Sequence, residues 1–398
     1  MDKIYIDERQ VNCPICGSSK SEIGYKRDFV IYDKGKKSIW PQILRVCKLC
    51  GMIYTNPQPT GKTLTRYYTT ALRYGEFNEN YSETQLNFIE KYSKKDFNSI
   101  FDIGAYNGAF LNLAKKRGYK TGGIEPSKEE TRNAWSKYRI NLYNGFFTNK
   151  FAASLNKKFD VVTINHVLEH VQDPMEFIQN AINITRSNKY IFIDVPNSAH
   201  PTVNNIADFF GNEHIMHFTV GSLLNLAYKN GLSVIKIEQS KGPLSVIRML
   251  VQNNIECEKP INRLKPIYNC YQTNMHILRK YNEMKKSFYV SIKSKFKNIK
   301  KLIIYGAGMH TTQLLQTGLL NNISIDCIVD SNPKKHGTRF AGMRIKPPSA
   351  LKNKNYPVLI SSNDSQDDIS AFLSKHFPHL LQIKLYSHSR FAGFGANK

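Results

Sequence analysis

Two cysteine pairs stand near the N-terminus, Cys13-Pro-Ile-Cys16 and Cys47-Lys-Leu-Cys50, each followed by glycine (Gly17 and Gly51). A Cys-x-x-Cys knuckle aims two thiolates at one point, and two knuckles joined by a loop of ~30 residues complete the tetrahedron that Zn²⁺ prefers. Four thiolates leave no position open for water, so Cys13, Cys16, Cys47 and Cys50 are expected to hold a structural metal that keeps the N-terminal domain folded. A second group, Asn212-Glu213-His214-Ile-Met-His217-Phe218-Thr219, packs an acid and two imidazoles into a few positions. An imidazole that exchanges a proton near neutral pH, beside a carboxylate that orients it, suits proton abstraction. His214 is the first candidate base, with Glu213 and His217 beside it. The structural alternative is that these side chains satisfy one another at a loop-to-helix junction capped by Thr219.

Between the two groups lies a glycine loop, Asp102-Ile-Gly104-Ala105-Tyr-Asn107-Gly108, entered from the apolar run Ser99–Ile103 and followed by a helix over Ala109–Arg117. Glycines there let the backbone turn tightly and approach a ligand at a helix N-terminus. The loop lacks the third glycine of a dinucleotide fingerprint and the Lys-Ser/Thr of a P-loop, which disfavours pyrophosphate. The next strand, Thr121-Gly-Gly-Ile-Glu125, ends in a carboxylate ~20 residues after the loop, the place of an acid that takes both ribose hydroxyls. An adenosine-type ligand fits this pattern. The run Phe159–Ile164 then ends in Asn165-His166-Val-Leu-Glu169-His170 at the same sheet edge.

The elements that must position these groups alternate apolar runs with amphipathic stretches. Thr121–Glu125, Phe159–Ile164, Tyr190–Val195 and Leu232–Ile237 read as strands with helices between them, which predicts a mostly parallel α/β sheet. Residues 1–60 read as short strands and turns, and residues about 61–98 as Tyr-rich and helical. A Lys-laden helix around Lys285–Lys301 presents Phe288, Ile292, Phe296 and Ile299 at helical spacing and reads as a connector. A second α/β pattern restarts at Lys301-Leu-Ile-Ile-Tyr305-Gly306-Ala307-Gly308 and continues through Ile323–Asp330 and Val358–Ser361. The expected division is residues 1–80, 81–245, 246–300 and 301–398.

The 398 residues and 45.7 kDa call for two or three cores, and 41% hydrophobic with 22% charged residues describes a folded chain. No apolar run approaches the ~18 residues of a membrane span and the first residues form no apolar signal core, so a cytoplasmic protein is expected. Lys and Arg outnumber Asp and Glu by 56 to 31, a net charge of +25. That surplus suits nucleic acid, anionic surfaces or phosphorylated substrates, and equally a Lys-rich compositional habit.

The Asp102 loop, the acid Glu125 and a fourth strand running into Leu-Glu-His-Val resemble the class I S-adenosylmethionine-dependent methyltransferases over residues about 85–240. The resemblance implies S-adenosylmethionine as cofactor. Asp102, Gly104, Ala105, Asn107 and Gly108 would form the loop at its methionine and ribose end, Glu125 would bind the ribose hydroxyls, and Asn165 or His166 would stand at the sulfonium. Glu169 and His170 are read chiefly as packing residues of that turn.

The order of cysteine pairs, methyltransferase core, Glu-His-x-x-His-Phe and a C-terminal Tyr-Gly-Ala-Gly unit resembles the three-domain C-methyltransferases of nucleotide-linked deoxysugars across nearly the whole chain. This implies an α/β fold of three parts: an N-terminal zinc ribbon, a central class I Rossmann-like domain and a smaller C-terminal Rossmann-like domain. It also implies Glu213 and His214 in the active site and a substrate-binding tyrosine from the set Tyr67, Tyr68 and Tyr74, with Tyr68 taken as the candidate. The expected partner is a nucleotide-linked sugar or related glycan, with no specific nucleic acid. The family's Gly-Gly-Ser-Leu-Arg run is replaced by Gly242-Pro243-Leu244-Ser245 with Arg248 displaced, so carbon and oxygen acceptors both stay open. RNA methylation and a non-catalytic scaffold are the other classes. In the C-terminal unit, Asp330 ends a strand where it would meet a nucleotide or cap its own turn.

Overall fold

A computed structural model describes residues 7–33, 36–61, 79–201, 206, 209–211, 213–240, 245–254 and 268–387. The N-terminal part has β1 (Glu8–Arg9), β2 (Ser21–Asp33), β3 (Lys36–Cys47), β4 (Ile53–Thr55) and β5 (Gln58–Pro59). In place of the short strands expected there, β2 and β3 form one long antiparallel ladder running from Ser21↔Cys47 to Asp33↔Lys36. Both cysteine knuckles sit at the Ser21↔Cys47 end of this ladder.

The central part runs α1 (Glu79–Tyr92), β6 (Ser99–Ile103), α2 (Ala109–Lys116), β7 (Lys120–Glu125), α3 (Lys128–Tyr138), β8 (Tyr143–Asn144), α4 (Asn149–Ser154) and β9 (Phe159–Asn165). It continues with α5 (Pro174–Ile184), β10 (Thr185–Pro196), β11 (Met216–His217), α6 (Val220–Lys229), β12 (Ser233–Gln239) and β13 (Val246–Gln252). Seven strands make one sheet in the order β12-β13-β10-β9-β6-β7-β8. Pairing is parallel from β10 to β8, and β13 runs antiparallel to both β10 and β12. The sheet therefore takes in Val246–Gln252, which the sequence boundary at 245 assigned to the connector. Its apolar run Val-Ile-Arg-Met-Leu-Val reads as a strand, but only its pairing with β10 and β12 shows that it belongs to this sheet.

Neighbours β7 and β9 leave β6 in opposite directions, so a crevice opens at the carboxyl ends of β6 and β9, where α/β sheets bind ligands. Every residue of β6 and β9 is buried, and side chains such as Phe101, Ile103 and Ile164 each contribute about 1.5–3 kcal/mol by leaving water. The same apolar cluster takes in Cys13, Cys47, Cys50, Met52 and Tyr54 from the N-terminal part and Ile215, Met216 and Phe218 from the loop before α6. The two parts share a core.

Helix α7 (Tyr271–Ser294) leads to a second unit: β14 (Lys301–Tyr305), α8 (Met309–Gln316), β15 (Ser324–Val329), β16 (Arg339–Phe340), β17 (Met343–Lys346), β18 (Val358–Ile360), α9 (Gln366–His376) and β19 (Gln382–Lys384). Its six-stranded order is β16-β17-β15-β14-β18-β19, parallel except for β16. The expected smaller C-terminal α/β unit is present. No helix among the described residues is long and apolar enough to cross a membrane.

Candidate active site

The glycine loop turns out of β6 at Gly104, whose φ is +76° and where any Cβ would lie 2.5 Å from Val167 Cγ2. Only glycine reconciles that left-handed turn with the close approach of the β9 loop. Ala105 is buried in the core, Asn107 Oδ1 accepts from the Ala109 N–H at 3.1 Å, and Gly108 precedes α2. Glu125 is fully buried at the end of β7, where its two oxygens accept from the Tyr106 N–H (3.0 Å) and the Ser127 N–H (2.9 Å). It thus ties the loop to the strand that carries it.

Asp102 is 2% exposed, with Oδ1 accepting from Thr163 Oγ1 (2.7 Å) and Asn165 Nδ2 (3.0 Å). Burial pushes its carboxyl up to about 7 against the pull of those two bonds, and the charge of Glu125 adds to the rise. From Asn165 the polar chain continues. Gln85 Nε2 donates to Asn165 Oδ1 (3.2 Å) and to Asp194 Oδ2 (2.8 Å), and Asp194 also accepts from the Tyr81 hydroxyl (2.8 Å) and Arg248 Nε (3.1 Å). The Tyr81 hydroxyl stands 2.9 Å from His166 Nε2. His166 adopts φ +52°, a conformation rare for a side chain of its size, at the turn out of β9. Burial opposes its charge, but Glu169 and Asp194 outweigh burial and raise its pKa.

The Glu213–His217 segment reaches this crevice through the N-terminal sheet. Strand β11 pairs antiparallel with β4, Met216↔Tyr54 and His217↔Ile53. The Ile215 N–H donates to the Glu169 carbonyl (2.9 Å), and the Ile215 carbonyl accepts from the Thr55 N–H (2.9 Å). One residue thus locks the loop between the β9 turn and the cysteine domain. From β2 and β3, Arg27 donates to the Phe210 carbonyl (3.0 Å) and Gln42 to the Gly211 carbonyl (2.9 Å). The Glu213 carboxylate lies over Gly211, 2.8 Å from where a Cβ there would stand.

His214 meets His170 edge to face, ring centroids 4.8 Å apart, and lies 6.5 Å from the His217 ring. Glu169, His170 and His214 each offer a ligand atom within 4.8 Å of the others. Glu169, from the turn after β9, is thus a carboxylate within reach of His214, alongside its sequence neighbour Glu213. His217 is 3% exposed, and burial holds its pKa well below the ordinary value. Thr219 does cap α6, reciprocally with Ser222.

In the cysteine cluster, Cys13 and Cys50 sulfurs are 3.5 Å apart and Cys16 and Cys47 sulfurs 3.4 Å. All four lie within 4.8 Å of one another. Sulfurs at ~2.3 Å from one ion stand roughly 3.8 Å apart, so the group fits a tetrahedral metal. In the C-terminal unit, Asp330 Oδ2 accepts from the Ala307 N–H (2.8 Å) and pairs with Lys335 (2.9 Å), while Oδ1 accepts from the Asn332 N–H (2.9 Å). Asp330 closes its own glycine loop and caps its own turn.

Tyr67, Tyr68, Tyr74, Asn212 and Gly242–Leu244 lie outside the described residues. The sequence reading passed over Tyr81, Gln85 and Asp194 and treated Arg248 as displaced. A buried Asp in a strand facing an Arg on the next strand, Asp194↔Arg248 in register, was the available signal.

Residues 74–237 match the family model described as a methyltransferase domain, and residues 298–376 match one described as C2185-like, N-terminal. Most of the central sheet, with its glycine loop, falls within the residues that match the methyltransferase-domain model. The chain is 21% identical over 209 residues to the C-methyltransferase NovU of Streptomyces niveus, covering 52% of this chain and 50% of that protein. The chain spans about half the length of the curated relative it matches. Similar solved structures include an S-adenosylmethionine-dependent methyltransferase from Archaeoglobus fulgidus (17% identity, TM-score 0.37, 49% of this chain and all of that one). Another is magnesium protoporphyrin IX methyltransferase from Synechocystis with bound S-adenosylhomocysteine (10% identity, TM-score 0.38, 49% of this chain and all of that one).

Proposed function

We propose that this chain transfers a methyl group from S-adenosylmethionine to a nucleotide-linked sugar, at a carbon beside a ketone. The observation that carries the reading is the meeting, at the carboxyl ends of β6 and β9, of a glycine loop in the matched methyltransferase domain with the His214 imidazole, which the loop entering β11 sets edge to face against His170 of the β9 turn. Bound S-adenosylmethionine supplies an electrophilic methyl. The loop Gly104–Gly108 and Glu125 would hold its nucleoside, with Asp102, Asn165 and His166 toward its methionine and sulfonium end.

His214 removes the proton next to the ketone, and the Glu169 carboxylate stabilises the imidazolium that results. Hydroxyl or amide donors at the site would hold the developing enolate oxygen. The electron pair of the broken C–H bond would then form the new C–C bond to the methyl carbon, while the pair of the broken S–C bond stays on the sulfur of the departing S-adenosylhomocysteine. The sulfurs of Cys13, Cys16, Cys47 and Cys50 would hold Zn²⁺ as a structural ion beside β4, the strand that pairs with β11. The likeness to a protein named as a C-methyltransferase supports carbon as the acceptor, and the C-terminal α/β unit would contact the nucleotide.

The test is turnover with methyl-labelled S-adenosylmethionine against nucleotide-linked 4-keto sugars and ordinary nucleotide sugars, with NMR to locate the label. Label on carbon is expected. Label on oxygen would retain the base and discard the enolate, and no label on any sugar would overturn the substrate class. His214→Ala is expected to keep cofactor binding and lose about 10²–10⁴-fold in transfer.

A further inference from the structure

The Glu169 side chain is 2% exposed, and among the described residues no hydrogen bond reaches either carboxylate oxygen. Its neighbours are imidazoles: His166 Nδ1 at 3.5 Å and His170 Nε2 at 3.9 Å. His170 Nδ1 is 3.0 Å from the Glu213 carbonyl, which only accepts, so Nδ1 carries the proton. When the ring is neutral, the lone pair on Nε2 then faces the Glu169 carboxylate. Two electron-rich groups facing each other out of water repel unless a cation joins them.

We infer that Glu169, His170 and His214 form a second divalent-metal site, distinct from the cysteine cluster, for an ion of the Zn²⁺, Co²⁺ and Ni²⁺ class. Two imidazoles and one carboxylate are the donors such ions take, and they leave a fourth position for water or a substrate oxygen. The bond from His170 Nδ1 to the Glu213 carbonyl is the outer support that ligating histidines carry, fixing tautomer and ring orientation. Ligands ~2.1 Å from one ion stand roughly 3.4 Å apart, so atoms now within 4.8 Å must close by about an ångström. Side-chain rotation in His214, which the loop carries between Glu213 and Ile215, supplies that closure.

An ion there engages the lone pair that the proposed reaction uses as its base, so metal loading and methyl transfer oppose one another. That consequence rests on the proposed function; the binding itself does not.

The test titrates protein holding one zinc per chain with Co²⁺, followed by visible d–d absorption and elemental analysis. Wild type is expected to take one further equivalent, whose bands lack thiolate charge transfer. Glu169→Gln and His214→Ala are expected to weaken that equivalent by about a hundredfold or more while keeping the first metal and cooperative melting. His170→Asn provides the same readout if either variant fails to fold. A wild type that stays at one metal per chain, or a second equivalent bound equally by the variants, overturns the site. Failure to methylate any sugar would leave this result standing.

Discussion

Asp102 offers a direct test of where the cofactor's charge sits. Burial raises its carboxyl from 3.8 to about 7 in the free protein, so at pH 6 the group holds a proton. A sulfonium and an ammonium bound beside it favour the carboxylate and expel that proton. With one proton released per cofactor, affinity scales as 1/(1 + 10^(7−pH)), a rise of about fivefold from pH 6 to pH 7, ~1 kcal/mol. An α-amino group stays largely charged below ~7.7, so the cofactor's own titration lies above this window. Titration calorimetry with S-adenosylmethionine at pH 6, 6.5 and 7 measures the slope. Asp102→Asn keeps the oxygen that accepts from Thr163 and Asn165 and removes the titrating proton, so its affinity should be flat apart from the contribution of His166. Equal slopes in wild type and variant would refute the placement of the cation beside Asp102. The same shift acts on the fold. An acid with a raised folded pKa binds more protons folded than unfolded, so Asp102 makes stability fall as pH rises from about 4 to 7.

Cys47→Ser is expected to abolish the first metal and, because β11 pairs with β4 and both parts share one core, to stop methyl transfer as well; metal content and labelled-methyl turnover check this together. Arg248→Met leaves Asp194, fully buried, without its ion pair, and should cost about 3–5 kcal/mol in a denaturant melt, whereas an unchanged midpoint would show Tyr81 and Gln85 to be sufficient partners.

The chemistry-bearing motifs were readable because each is local. Cys-x-x-Cys spacing sets a knuckle, and Asp102–Gly108 after an apolar run sets a loop at a strand end, both within a few residues. The strand Phe159–Asn165 also announced itself, since a fully buried strand is largely apolar along its length. Tertiary structure alone decided which groups meet. Glu213 adjoins His214 in sequence, yet backbone bonds from Ile215 to Glu169 and Thr55 bring His214 to Glu169 and His170, some forty residues away along the chain. Val246–Gln252 joins the central sheet because β10 and β12 flank it, and Arg248 finds Asp194 through that register. Spacing along a chain fixes what a segment can form by itself. Pairing between β4 and β11 depends on two surfaces folded independently, and no periodicity within either segment encodes it.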